Sequence, residues 1–217
     1  MTTEERRFET PHGEARLVVR RARGAVATLL LSHGAGGGID SRDLAALAAD
    51  LPRNGVSVVL LEQPWRVAGR KVATPPPTLD AGLVAAANRL KTRTPLVVGG
   101  RSAGARSAAR CARELGASGC LALAFPLHPP GKPEKSRLEE LRAARVPTLV
   151  IQGERDAFGR PEEFPPDLDL AVVPAADHGF KVPARAELSE TDAMGIIVES
   201  TLEWILREVT GTGGQRE

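Results

Sequence analysis

A chain of 217 residues that is 42% hydrophobic can bury one substantial core but hardly two, so one globular domain is expected. The 29 Lys and Arg nearly balance 27 Asp and Glu, and the basic residues are scattered singly or in pairs, which implies neither nucleic-acid nor membrane binding. No run of about eighteen apolar residues exists, and Met1 to Arg7 carries two glutamates instead of an apolar leader core, so a soluble cytoplasmic protein is expected.

In chain order, Arg6, Phe8 and Thr10 and then Ala15, Leu17 and Val19 alternate around Pro11-His12-Gly13, the pattern of a hairpin at a sheet edge. Residues 26–31 are instead apolar at nearly every position, as in a strand covered on both faces. His33-Gly34-Ala35-Gly36-Gly37-Gly38 follows, then Ser41 and an amphipathic helix to about Leu51. The unit recurs as a strand over 56–61, a Pro-rich loop, a helix over 79–90 and a strand over 96–99. Beyond residue 102 the pattern predicts a helix over 103–115, a strand over 120–124, a loop with Pro126, Pro129, Pro130 and Pro133, and a helix over 138–144. Strands over 148–151 and 170–173, with a turn through Asp156 between them, and a helix over 189–209 complete the domain, leaving 210–217 as a frayed tail. Short buried strands joined by helices mean an α/β fold: one domain, a mostly parallel twisted sheet of about eight strands, helices on both faces. Aromatics are only 3% and Tyr is absent, so Ala, Val and Leu must build the core. Cys111 and Cys120 lack CxxC or metal-ligand spacing and are expected to be buried thiols, with no metal site.

The apolar run 96–99 ends in Gly100-Arg101-Ser102-Ala103-Gly104 and passes directly into a helical pattern. Gly-x-Ser-x-Gly alone is weak evidence, but a strand before it and a helix after it are what a nucleophile elbow requires. Such a turn lifts Ser102 clear of the sheet and leaves Gly100 and Gly104 where a side chain would collide with a neighbouring strand or helix. The N–H of Ala103, at the start of the helix, is free to stabilise an oxyanion. In an open parallel sheet, functional groups gather at the carboxyl ends of the strands. His33-Gly34, Ser102, Asp156 and His178 all fall in loops at those ends.

Together these segments resemble the α/β-hydrolase superfamily and its order Ser…Asp…His. Within it the chain is similar to the small dienelactone-hydrolase-like group and a compact class of predicted hydrolases, through His33-Gly34-Ala35-Gly36-Gly37, Gly100 to Gly104, Gly153-Glu154-Arg155-Asp156 and Asp177-His178-Gly179. Dienelactone hydrolases proper use cysteine where this chain has Ser102. The resemblance implies Ser102 as nucleophile, His178 as base and Asp156 as the acid behind it, with Glu154 and Asp177 as nearby rivals. A serine hydroxyl needs a neutral imidazole to take its proton, and the imidazole needs a carboxylate to fix its tautomer.

The remaining histidines have other uses: His12 lies in the hairpin turn, His33 is placed to fix the oxyanion loop, and His128 sits in the Pro-rich loop. The glycines after His33 lack the Lys-Ser/Thr pair of a P-loop and the Gly-x-Gly-x-x-Gly spacing of a dinucleotide site. They suit a second oxyanion donor, the N–H of Ala35 or of Gly36. Residues 63–77, with Trp65 and Arg66, and 125–135, with Leu127 and His128, are expected to wall the substrate pocket. Phe158 and Phe180 either add apolar pocket surface or cover the sheet edge, and Arg101 either pairs a substrate carboxylate or makes a salt bridge behind the site. The expected activity is a serine hydrolase cleaving a small ester or thioester through an acyl-enzyme, without cofactor, as a monomer or homodimer. A cofactor-free haloperoxidase or lyase, or a non-catalytic interaction module like the chromatin-complex subunits among the eukaryotic relatives, are the alternatives.

Overall fold

Strands covered on both faces have no wet side to fill, so the continuously apolar runs become the middle of the sheet. In the computed structural model of the protein, which describes residues 3–211, these are β3 (Ala27–Ser32), β4 (Val56–Glu62), β5 (Leu96–Arg101), β6 (Gly119–Leu123) and β7 (Thr148–Gly153). With β1 (Thr3–Thr10), β2 (Gly13–Arg20) and β8 (Asp169–Val173) they form one eight-stranded sheet in the order β1-β2-β4-β3-β5-β6-β7-β8. β1 and β2 are an antiparallel hairpin with Phe8 opposite Ala15, and β2 runs antiparallel to β4. All other pairs are parallel.

Successive side chains of a strand point to opposite faces, and the core divides accordingly. Leu30, Val59, Val98, Ala122 and Val150 pack on one face with α3 (Pro76–Arg89) and α4 (Ala103–Cys111). Leu29, Leu31, Val58, Val97 and Ile151 pack on the other with α1 (Arg42–Asp50) and α6 (Glu190–Trp204). The buried face of α4 is Ala105, Ala108 and Ala109, whose small side chains let the helix that carries the elbow lie close to the sheet. Ser189 caps α6, its hydroxyl accepting from the Asp192 N–H at 3.1 Å while the Asp192 carboxylate accepts from the Ser189 N–H.

The pattern-based boundaries shift at several places. α4 stops at Cys111, and the chain turns to Gly116, whose φ of 60° suits glycine. Ala124, expected to extend β6, has φ 45° and ends it. The Pro-rich loop after β4 contains a short helix, α2 (Pro64–Val67), which Pro64 starts at its first turn. α5 (Leu138–Arg142) is shorter than expected, and α6 widens into a π-helical turn over Ile205–Val209. The expected tail lies, from residue 212 on, outside the described residues. Cys111 and Cys120 are buried free thiols, and burial pushes both up to about 12. Among the described residues no helix is long and apolar enough to cross a membrane.

Candidate active site

The chain reverses between β5 and α4 at one residue. Ser102 has φ 52° and ψ −108°, a backbone conformation that L-residues avoid, and its N–H is tied to the Leu123 carbonyl of β6 at 2.9 Å. The turn is possible because a Cβ on either Gly100 or Gly104 would overlap the Ser32 carbonyl oxygen at the end of β3.

His178, in the loop after β8, donates from Nδ1 to Asp156 Oδ2 at 2.8 Å. Nε2 is thereby left to accept the Ser102 hydroxyl at 3.0 Å. Asp156 follows β7 and is fully buried; its Oδ1 accepts the Phe158 N–H at 2.8 Å and its Oδ2 also accepts from Gln152 Nε2 at 2.8 Å. The two loops meet because Gly153 has no side chain: a Cβ there would stand 2.6 Å from the Ala176 oxygen and 2.7 Å from that of Asp177. Glu154 and Asp177 are engaged elsewhere. Glu154 accepts the Ala175 N–H at 2.6 Å, and Asp177 Oδ1 accepts the N–H groups of Gly179 and Lys181 at 2.8 and 2.9 Å.

On the other side of Ser102 lies the segment 33–38. A Cβ on the buried Gly34 would sit 3.5 Å from the Ser102 Cβ, so the exposed Ala35 that follows is beside the nucleophile position, as is Ala103 at the start of α4. The first N–H groups of a helix have no intrahelical acceptor. His33 fixes this segment: its Nε2 accepts the Gln63 N–H at 3.1 Å, which makes Nδ1 the protonated nitrogen that donates to the Gly34 carbonyl at 2.9 Å. Desolvation lowers its pKa, outweighing the Gly34 hydrogen bond, and holds the ring neutral. Trp65 braces the same ring edge-on, with centroids 5.4 Å apart.

Three residues expected in the pocket wall lie in the interior instead. Trp65 is 3% exposed and turned against His33, with what surface it has facing the hairpin residues His12 and Gly13. Leu127, 4% exposed, packs under Gly159 in one core layer, and Phe180, fully buried, belongs to the other. Each of these three side chains packs into the apolar interior instead of facing solvent. Phe158 is half-buried and stacks on His178 with centroids 4.2 Å apart, so it borders the site. Arg101 lies behind it: its Nη2 donates to the His178 carbonyl at 2.9 Å, and its Nε is 3.3 Å from Asp43 Oδ2. His128 pairs with Glu163 at 2.8 Å. The Pro-rich loop after β6 adds only one 3₁₀ turn, Pro133–Lys135, before α5.

Two contributors were missed in the sequence. Gln152 is a polar residue on the otherwise apolar β7 and also donates to the Gly159 carbonyl at 2.8 Å; Asp43 is a carboxylate on the buried face of α1. A polar residue at an apolar position was the available signal in both. Among the described residues no group of three or more His, Cys, Asp or Glu is arranged to hold a metal ion.

Solved structures resemble this one closely. A serine hydrolase without a lid from Xanthomonas campestris superposes with a TM-score of 0.70 at 19% identity, over 93% of this chain and 94% of that one. A dienelactone hydrolase from Anabaena variabilis gives 0.72 at 18% identity over 95% and 98%, and Est1E from Butyrivibrio proteoclasticus gives 0.66 at 15% over 93% and 98%. A search of curated proteins finds no significant match. The family model of the alpha/beta hydrolase domain matches residues 25–206, from β3 to the end of α6, and the chain belongs to that family.

Proposed function

We propose that the protein is a serine hydrolase that cleaves a small ester or thioester through an acyl-enzyme. The observation that carries the reading is the continuous relay from Ser102 Oγ through His178 to the buried Asp156, at 3.0 and 2.8 Å. Ser102 attacks the carbonyl carbon while His178 Nε2 takes its proton, and Asp156 stabilises the imidazolium that forms. The N–H groups of Ala103 and Ala35 receive the oxyanion; each such donor is worth ~3–4 kcal/mol of transition-state stabilisation. His178 returns the proton to the departing alcohol or thiol. Water, deprotonated by the same imidazole, then releases the acid. Phe158 borders the substrate. Neither cofactor, nucleic acid nor membrane enters the reading, which includes a monomer or homodimer in the cytoplasm. The serine hydrolase and the dienelactone hydrolase among the structural neighbours support the ester class.

A fluorophosphonate probe tests it. Mass spectrometry is expected to find the label on Ser102, and Ser102→Ala should lose on the order of 10⁶ in kcat for p-nitrophenyl acetate. Label on a different serine, or residual turnover within tenfold of wild type, would refute the assignment. Failure of the wild type to turn over any activated ester would favour the non-catalytic alternative, and halide-dependent oxidation the haloperoxidase.

A further inference from the structure

At the opposite end of the sheet from Ser102, the amino ends of β3 and β4, marked by Thr28 and Ser57, open into a cavity of about 570 Å³. Its rim brings together five cations from three stretches of the sequence: Arg6 of β1, Arg21 after β2, and Arg89 at the end of α3 with Lys91 and Arg93 in the loop that follows it. No Asp or Glu is among the described residues that line it. Glu4 neutralises one charge, bonding Arg6 at 2.6 Å and reaching Arg21 at 3.5 Å, so the surplus exceeds the net charge of +2 on the whole chain. Gathering like charges around one concavity costs folding free energy through self-repulsion. The carbonyl end of α3 accounts for Arg89 at most, and that guanidinium already lies over the Phe8 ring at 5.5 Å.

The loop that carries Lys91 and Arg93 is pre-shaped. Thr28, Thr92 and Thr94 join their hydroxyls in a triangle at 2.8 to 3.0 Å, and the Thr94 N–H donates to Thr92 Oγ1 at 3.1 Å. Holding a binding loop in place before the ligand arrives removes part of the entropy cost of binding. Val19, Val59 and Leu90 give the cavity an apolar floor.

We propose that this cleft binds an organic pyrophosphate of nucleotide size. Several cations lining one cavity call for a ligand with more than one negative charge, and arginine forks match phosphate oxygens in pairs. The apolar floor takes the organic part, and the volume lies within the range of small-molecule pockets. A nucleic-acid strand would call for a stripe of cations along an open surface rather than cations on the rim of one cavity with apolar residues in its lining.

Isothermal titration calorimetry with ADP, inorganic pyrophosphate and adenosine tests the proposal. ADP should bind one to one at physiological salt, pyrophosphate should compete with it, and adenosine should bind at least about tenfold more weakly. Lys91→Glu with Arg93→Glu should weaken ADP by more than about tenfold, since each reversal replaces attraction by repulsion. Lys91→Gln with Arg93→Gln gives a milder loss and keeps the test if the reversed pair does not fold. Esterase activity should be unchanged in both, and Ser102→Ala should bind ADP as wild type does, so this site stands or falls apart from the hydrolase reading. No ADP binding at physiological salt, or equal binding in the substituted proteins, overturns the proposal. So does a duplex oligonucleotide that binds more tightly than ADP and takes up more protein as it lengthens.

Discussion

The Arg101 guanidinium holds the backbone of the residue whose ring meets Ser102: its Nη2 donates to the His178 carbonyl at 2.9 Å, from a side chain anchored 3.3 Å from the 2%-exposed Asp43. Its place is behind the imidazole, so it bears on where the ring sits rather than on what the substrate carries. Arg101→Met is expected to lower kcat for p-nitrophenyl acetate by about 10- to 100-fold, the scale on which small misplacements act, with KM little changed. A rise in KM at constant kcat would make Arg101 a substrate contact instead.

Removing Asp43 alone would leave that guanidinium buried without its counter-charge. Asp43→Asn should therefore destabilise the protein by about 3 kcal/mol or more in urea unfolding. Asp43→Asn combined with Arg101→Met should recover part of the loss; a double substitution as unstable as the sum of the two singles would mean that the charges do not interact.

Asp156→Asn should cut kcat by about 10⁴, because an amide at that position favours the wrong imidazole tautomer. Asp177→Asn should change kcat only a few-fold, since that carboxylate caps its own turn at Gly179 and Lys181. The reverse ranking would transfer the acid to Asp177.

His33 gives the fold a pH dependence. Its pKa is lowered from 6.5 in the folded protein, first by desolvation, so below about pH 6.5 the unfolded chain takes up a proton that the folded one refuses. Stability should fall as the pH drops through that range, and protonation of Nε2 would also break its bond from the Gln63 N–H. Thermal melts of His33→Asn should show a smaller loss between about pH 7.5 and 5.5 than wild type. An equal loss in both proteins would assign the slope to other groups.

Substrate size follows from which apolar side chains border the site. With Trp65, Leu127 and Phe180 buried elsewhere, Phe158 is the aromatic that borders His178. An extra methylene can add up to ~0.8 kcal/mol only while there is apolar surface to bury it. The value of kcat/KM for p-nitrophenyl esters is expected to peak between acetate and butyrate and to fall by octanoate. A steady rise to palmitate would mean an apolar channel.

What was legible in the sequence was what glycine and apolar periodicity punctuate. The glycines around Ser102 and the apolar strands that precede Asp156 and His178 punctuate the chain, so the order of elements could be read directly, while the choice among Asp156, Glu154 and Asp177 as the acid stayed open. The pocket wall could not, because an aromatic in a loop gains as much by turning into the core as by lining a cleft; Phe158 and Phe180 look alike in sequence and part company in exposure. The ends of α4 and β6 moved because each depends on a residue entering the left-handed region, Gly116 and Ala124, the second of which carries no local signal. The cationic cleft was hidden for a topological reason. Arg6 and Arg93 look scattered along the chain, and only the sheet order β1-β2-β4-β3-β5 brings β1 and the loop before β5 to one cavity.

The positive φ at Ser102 sets two selective pressures against each other at one codon. A side chain held in that sparsely populated region costs on the order of 1–3 kcal/mol, which glycine would largely avoid. Ser102→Gly should therefore be more stable than Ser102→Ala, although glycine is ordinarily the worse residue for a rigid backbone by about 0.5–1 kcal/mol. Ala124, Arg145, Ala175 and Phe180 also keep a side chain at positive φ, so the strain at 102 is tolerated by this fold; at 102 the proposed role as nucleophile would offset it.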